Sequence, residues 1–433
     1  MDRMLNSGAK MLEKNNCYDV IVAGAGSAGS IAALQAARAG ARTLLIEKSS
    51  MPGGTLTLCG VDFPGLFHAW GKQVISGIGW ELVSAAVVEG HGAMPDFSRY
   101  DLPHWNLQVK VNPALWACLL DEAFTASGVD VLYHAMPLTA KELDDHVKIT
   151  VATKTGAVEY HCHTAIDATG DATLTALAGY GIKQNTEKQP GTPMVRFGGY
   201  DLKLIDLAAV ENAYKQAVAD GRMSYLDTGM SRSMAHLLSC HGENCIHVPV
   251  ADAVSSMDES IVERLGRAAV LRVYRFLRQF RGLEMLKFEY MAPQCGIRET
   301  AVIDGEATIT VDDYVTGRCW DDSLCYAFYQ LDLHRCDKTS GLMGHPLETG
   351  VVPTVPRRAL IPRGSRRLLV AGRCISSDRL ANSALRVQAS CMATGQAAGA
   401  IAALAARQQK TSLELDIASI KNLLLAHGAI VPH

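Results

Sequence analysis

The sequence predicts an α/β fold whose main domain is discontinuous, closed from both ends of the chain around an inserted α+β domain. Three observations carry this. A buried strand, a glycine-rich turn and a helix follow one another at residues 20–40. Another buried strand and a long Ala/Gly helix return near the C-terminus, at 366–371 and 384–407. Between them, residues 190–345 have a different texture, with amphipathic helices and most of the later histidines, tyrosines and cysteines.

The first segment reads VIVAGAGSAGSIAALQAARAG. The apolar run from Val20 to Ala23 is a buried parallel strand. Gly24, Gly26 and Gly29 then form G-x-G-x-x-G, with Ala33 and Gly40 as further small residues. In this arrangement the first glycine makes the tight turn and the second admits a pyrophosphate. The third lets helix and strand pack closely. A helix N-terminus, with its unpaired N–H groups and dipole, favours the phosphates. Strand two is expected at 43–47. It ends in Glu47, 18 positions after Gly29, close to the roughly 20 expected of an acid that holds ribose hydroxyls. A Rossmann-like dinucleotide site follows.

Residues 49–108 are rich in Gly, Pro, Trp and His and read as loops and short helices over a site. Residues 112–127 have helical apolar spacing, with Asn112 as cap, Pro113 at the first position and Gly128 as stop. A short strand is expected at 129–133. Strands at 147–153 and 157–163 form a hairpin around Thr155-Gly156, and a further buried strand lies at 164–168. The inserted region contains a helix at 259–281 and strands near 286–293 and 302–311. The last helix spans 412–428. The expected divisions are 17–60, 109–189 and 351–433 for the nucleotide-binding domain, 61–108 for a cap, and 190–350 for a substrate domain.

Composition narrows the class. The 433 residues suggest two or three domains, and the net charge of −3 carries no basic stripe for nucleic acid. No uninterrupted apolar run reaches the roughly 18 residues of a membrane span. The first residues lack a signal-peptide core and read as a loose leader, which makes the cytoplasm the expected compartment. The twelve cysteines contain no C-x-x-C pair, against an iron–sulfur cluster, a zinc ribbon or a dithiol motif. No metal site is expected.

The segments GAGSAGSIAALQAARAG, EKSSMPGGTLT, AIDATGDATLTALAG, GIRETAVIDGEATITVDDYVTGR, LDLH and LLVAGRCISSDRLANSALRVQASCMATGQAAGAIAALA together resemble the FAD-dependent oxidoreductase family of the glutathione-reductase-type (GR2) flavoprotein fold. More narrowly, they are similar to fumarate reductase flavoproteins and the flavin subunit of heterodisulfide reductase. The resemblance runs over most of residues 17–428. It implies FAD as cofactor, with Gly24, Gly26, Ala28 and Gly29 at the pyrophosphate, and Glu47 and Lys48 at the adenosine end. It implies Gly54 and Thr55 along the flavin side, Ala135 offering backbone to adenine, and Thr169 and Gly170 beside the pyrophosphate. Gly372 and Arg373 would meet the ribityl chain. Arg386, Val387 and Gln388 would open a helix facing flavin N1 and O2, where reduced flavin carries negative charge. A second GxGxxG and the cluster cysteines of the heterodisulfide reductase subunit are missing. The fumarate reductase sequence around its substrate arginines is missing as well, so neither reaction transfers.

The chemical candidates lie in the middle region. Arg298, in GIRET, could clamp a substrate carboxylate or polarise a carbonyl; alternatively it pairs with Glu299 to fasten one domain on the other. His334, in LDLH, could be a general base, with Asp332 sharing its role; alternatively it is a structural histidine. His68 and His104 flank tryptophans and could line a pocket. His241 and His247 bracket Cys245 without recognised metal spacing. Cys59 could be a redox thiol or a covalent flavin attachment point, or a buried small residue. The expected function is hydride transfer between a small organic substrate and bound FAD, with an external electron donor or acceptor and a possible homo-oligomer. The alternatives are a flavin electron-transfer subunit serving a partner redox protein, and a biosynthetic enzyme that uses a bound dinucleotide.

Overall fold

The computed structural model describes residues 16–250, 254–336 and 342–433; the expected leader at 1–15 lies outside them. In chain order, the first part contains β1 (Cys17–Ala23), α1 (Ser27–Arg38), β2 (Thr43–Ile46), α2 (Pro113–Ser127), β3 (Asp130–Leu132), β4 (Met136–Glu142), β5 (Val147–Thr153) and β6 (Gly156–Asp167). The middle contains β7 (Val195–Gly198), α3 (Met234–Ser239), α4 (Ser256–Leu277), β8 (Lys287–Met291), β9 (Leu331–His334) and β10 (Leu342–His345). The chain closes with β11 (Leu368–Val370), α5 (Arg379–Leu385), α6 (Gln388–Gln408) and α7 (Ile417–Ala426).

The main sheet has seven strands in the order β3-β2-β1-β6-β5-β4, with β11 also paired to β6. β1 runs parallel to β2 and to the second half of β6. The long β6 corrects the expectation of two separate strands. Its first half is antiparallel to β5, and its second half, from Ala165 to Asp167, is parallel to β11. One strand thus serves two partners along one edge. The hairpin turn is Lys154-Thr155, one residue earlier than expected. β4 had no clear sequence signal, because its exposed positions break the apolar alternation.

The helices end where the local chemistry dictates. The Asn112 side chain accepts the Ala114 and Leu115 N–H groups at 3.0 and 3.1 Å, and Gly128 closes α2 with φ +71°. The expected helix at 384–407 is two helices, α5 and α6, broken at Arg386-Val387. The expected strand at 302–311 reduces to residues 301–303, because Thr310 caps a short helix there in a reciprocal capping box with Asp313.

The α1–α6 contact is very close. A Cβ on Gly395 would lie 2.1 Å from the Ala28 carbonyl oxygen, and one on Gly399 would lie 2.3 Å from that of Ala32. Two small-residue faces therefore bring the backbones together. α6 is the one helix among the described residues long and apolar enough to cross a membrane, and its apolar window is wholly buried inside the protein.

A separate apolar core is built from residues 195–295, including Phe197, Tyr214, Val262, Val273 and Cys295. Ala301, Ile303, Tyr314, Leu324 and Leu331, by contrast, pack into the same core as α1 and α6. β9 is therefore held against the nucleotide-binding layer, on the side from which α5 and α6 start.

Candidate functional site

The glycine turn is compact for reasons internal to the polypeptide, except at one position. Gly24 has φ +96°, and a Cβ there would lie 2.5 Å from the Ala168 oxygen; one on Gly29 would lie 1.8 Å from the Gly24 oxygen. Gly26 has an ordinary φ of −71°, and a Cβ there would meet nothing within 4 Å. Nothing in the chain requires glycine at 26, so the space beside it fits an external group at the N-terminus of α1. Gly53 and Gly54 run alongside. The Gly53 N–H donates to the Ala25 oxygen at 2.7 Å, and Gly54, at φ +54°, sits over the Gly26 Cα. Thr55 beside them is exposed.

Glu47 is buried and accepts two backbone N–H groups, from Ala25 at 2.7 Å and Ser49 at 2.8 Å. It therefore braces the glycine turn. Each oxygen keeps a further lone pair for a ribose hydroxyl. Lys48 is half exposed and lies 3.7 Å from Glu259. The Ala135 N–H donates to the Glu47 backbone carbonyl at 3.0 Å, so this N–H is already spent. Thr169 donates its N–H and its hydroxyl to buried Asp167. Gly372, at φ +87°, lets its backbone pass within reach of Ala28 and donates its N–H to the Thr394 hydroxyl at 3.1 Å.

Two arginines expected along the cofactor point their side chains elsewhere. The Arg373 guanidinium binds Gly170 O at 2.6 Å, Asp171 at 2.5 Å and the Ile297 carbonyl. It is a clamp tying the ATGD turn to GIRET, and only its backbone remains for a ribityl chain. Arg386 turns away from its own helix and forms an ion pair with Asp332 at 2.9 Å. Gln388 locks two helix N-termini together, accepting from the Ser27 hydroxyl at 2.9 Å and donating to Val61 O at 3.0 Å. Val387 is the N-cap of α6 and packs against Gly65; the N–H of Ala389, two residues on, donates to Pro64 O at 2.8 Å.

The same break between α5 and α6 brings the chemical candidates together. His334 Nε2 lies 3.2 Å from Asp332 Oδ2, and Asp332 also takes Arg386. With Nε2 donating to the carboxylate, Nδ1 carries the lone pair, and among the described residues the buried Nδ1 has no hydrogen-bond partner. Burial, reinforced by the Arg298 charge, pulls the His334 imidazole down to about 4. Burial pushes Asp332 up, but the His334 hydrogen bond and the Arg386 and Arg298 charges outweigh it and hold this acid well below the usual range. Gln189 accepts the His334 backbone N–H at 3.1 Å, and the His247 ring packs edge-on to His334 at 5.5 Å.

Arg298 is partly buried beside this pair. Its guanidinium donates to Pro190 O at 2.6 Å and the Thr192 hydroxyl at 2.8 Å. Burial, and then the Arg386 charge, lower it to about 10. Among the described residues no carboxylate is within ion-pair distance of it. The expected alternative, an Arg298–Glu299 pair, is not formed: Glu299 binds Arg379 at 3.0 Å and Asn185 at 2.6 Å. Neighbouring residues diverge here because one faces the site and the next faces α5. Arg298, Glu299, Arg373 and Arg379 also line a cavity of about 240 Å³.

The remaining candidates separate. His68 stacks on Phe97 with ring centroids 3.7 Å apart, inside an aromatic cluster with Trp80. His104 packs against Tyr329, whose hydroxyl accepts from Gln108 at 3.0 Å. Tyr329 and Gln189 had no motif to reveal them; Tyr329 immediately precedes β9 in the chain, whereas only the fold brings Gln189 to it. Burial pushes the Cys59 thiol up to about 12, so at neutral pH it is protonated and a poor nucleophile. His241 and His247 do not converge on Cys245. His241 Nδ1 lies against Phe197 O at 3.1 Å, and His247 faces His334.

A mixed sheet with a parallel half, a glycine turn with one externally required glycine, and a second chain segment closing over it from the C-terminus define a dinucleotide-binding α/β protein. The FAD dependent oxidoreductase family model matches residues 19–424. The chain belongs to that family, and FAD is its cofactor. Among solved structures, a geranylgeranyl bacteriochlorophyll reductase-like protein from Thermoplasma acidophilum is 14% identical, with a TM-score of 0.44 over 95% of this chain and 83% of that one. The myxobacterial FAD-dependent halogenase CndH is 12% identical, with a TM-score of 0.45 over 95% and 79%. OxyS anhydrotetracycline hydroxylase from Streptomyces rimosus is 22% identical, with a TM-score of 0.31 over 42% of this chain; the match spans only 38% of that protein.

Proposed function

We propose that this FAD-dependent oxidoreductase moves a hydride between FAD and a small organic substrate bearing a carboxylate or a comparable anionic oxygen. The observation that carries this reading is the cluster of buried His334 with the partly buried Arg298, Asp332 and Arg386. Arg386 is neutralised by Asp332, whereas among the described residues Arg298 has only neutral acceptors. A partly buried cation in that state favours an anionic partner. When bound, FAD supplies the hydride chemistry. Arg298 orients the substrate through its anionic group. His334, neutral and with Nδ1 unengaged, takes an O–H or N–H proton from the substrate in the oxidative direction and returns it in the reverse one. Asp332 fixes the tautomer and stabilises the imidazolium that forms, while Arg386 keeps Asp332 ionised. The Gly26 cradle and the Glu47 carboxylate hold the pyrophosphate and the ribose.

The resemblance to fumarate reductase and heterodisulfide reductase flavoproteins rests on sequence segments alone and carries neither reaction over to this chain. The test is an anaerobic screen of small hydroxy and amino acids, and of their carboxylate-free analogues, for bleaching of the flavin band. Substrates with an anionic group are expected to reduce the flavin. His334→Ala is expected to retain flavin and to slow its reduction roughly 10²–10⁴-fold, the usual worth of a general base. Reduction at the wild-type rate in that variant removes His334 from the mechanism. Equal reduction by the carboxylate-free analogues removes the anion role of Arg298.

A further inference from the structure

Away from the flavin site, the turn after α3 gathers three side chains with soft or borderline donor atoms. His236 is the third residue of α3, Cys240 follows its last turn, and Cys245 lies at the end of the loop. The ligand atoms of all three lie within 4.8 Å of one another. The His236 Nε2 to Cys240 Sγ separation is 3.5 Å, about the edge of a tetrahedron whose Zn–N and Zn–S bonds are roughly 2.0 and 2.3 Å. The three positions, H-x-x-x-C-x-x-x-x-C, match no common zinc pattern in sequence; the helical i, i+4 step and the returning loop bring them together.

We propose that His236, Cys240 and Cys245 bind a soft divalent cation of the zinc class, with a fourth position open to solvent. Two thiolates and one neutral imidazole make a charge-balanced donor set for a divalent ion, and thiolate ligands select zinc over magnesium or calcium. Binding releases the thiol protons of Cys240 and Cys245 to solvent, with no change of oxidation state. The burial gradient suits this: His236 is exposed, Cys240 is intermediate and Cys245 is buried. The donor set is thus anchored in the core at one end and reachable at the other.

The site has a role that its position defines. The loop it closes holds His241, Gly242 and Asn244 in the left-handed region, with φ of +54°, +88° and +53°, and two residues after Cys245 comes His247, which packs against His334. A bound ion pins this loop at its two ends and so holds His247 in register. It is a structural brace, remote from the hydride.

The test uses the purified, flavin-loaded protein, reduced and then dialysed free of metal, titrated with cobalt(II) alone. Tetrahedral thiolate-bound cobalt absorbs at longer wavelength than flavin, so the two signals separate. One equivalent is expected to give those bands, with zinc displacing it. Cys240→Ser, and separately the surface variant His236→Gln, are expected to weaken binding at least tenfold while retaining the full flavin content, which reports an intact fold. Absence of the bands in wild-type protein whose thiols all react with an alkylating agent after unfolding overturns the proposal. So does a Cys240–Cys245 disulfide that, once reduced, leaves two thiols that still take up no metal. Equal cobalt binding by wild type and both variants overturns it as well.

Discussion

At the scale of single residues, the useful information is which nitrogen of His334 is free. The bond from Nε2 to Asp332 and the unpartnered Nδ1 leave one lone pair directed away from the carboxylate. Burial and the Arg298 charge hold this imidazole near 4 rather than the usual 6.5. The sign of the consequence is direct. A base must be deprotonated to act, so the rate of flavin reduction should hold as pH falls through 6.5 and decline only toward about 4. A pH profile of the reductive half-reaction checks this, and a decline centred near 6.5 would mean that His334 is not the group being titrated. Asp332→Asn should slow reduction while leaving substrate affinity much less changed, since it disturbs the tautomer and the stability of the imidazolium. The residue LDLH motif was legible in the sequence as an Asp/His pair. That Arg386 would join it was not, because Arg386 sits on a helix junction whose direction is set by packing 54 positions away.

At the scale of elements, the glycine positions separate folding from cofactor binding. The Gly26 Cβ direction is open, and its backbone is ordinary. Gly26→Val should therefore fold with a normal circular dichroism spectrum and purify without flavin. Normal flavin content in this variant would show that the pyrophosphate lies elsewhere. Gly399 answers a different need, because its missing side chain is where α6 meets the Ala32 carbonyl. Gly399→Val should destabilise the protein by about 3 kcal/mol or more, beyond the usual 1–3 for overpacking because the obstacle is backbone. Urea denaturation measures this; a loss below about 1 kcal/mol would mean that the helices can separate at small cost. The strand–turn–helix unit, α2 with both its caps, and the small-residue face of α6 were all readable from local spacing. The length of β6 was not. Its two halves differ in pairing partner, and alternating burial in one half gives way to a continuously buried run in the other, which includes the polar His163, Thr164 and Asp167.

At the scale of the whole molecule, buried neutral imidazoles set how stability responds to acid. His68 and His334 are both lowered to about 4, chiefly by burial, and His247 is lowered well below its ordinary value. Above pH 6.5 both the folded and the unfolded chain carry these rings neutral, and they contribute no pH dependence. As pH falls below 6.5 the unfolded chain takes up protons that the folded chain refuses, so stability declines, and the share of the loss from His68 and His334 levels off below about pH 4. His68→Leu removes one of these groups without touching the candidate site. Its melting temperature should fall less steeply than wild type between pH 6.5 and 4. Identical slopes would show that His68 is protonated in the folded protein.

The sequence alone determined the class of fold, the dinucleotide turn, the acid at the end of β2 and the return of the C-terminal strand and helix. These are set by short-range spacing: period-2 and helical apolar patterns, and glycines a few residues apart. Tertiary structure alone decided the rest. It turned Arg373 into a clamp on the ATGD turn and sent Glu299 to Arg379 rather than Arg298. It placed Arg386 on Asp332, and assembled His236, Cys240 and Cys245 at one turn. The physical reason is the same in each case. A long polar side chain takes the partner that desolvation leaves within reach, and that partner is fixed by how distant segments pack, not by its neighbours in the chain.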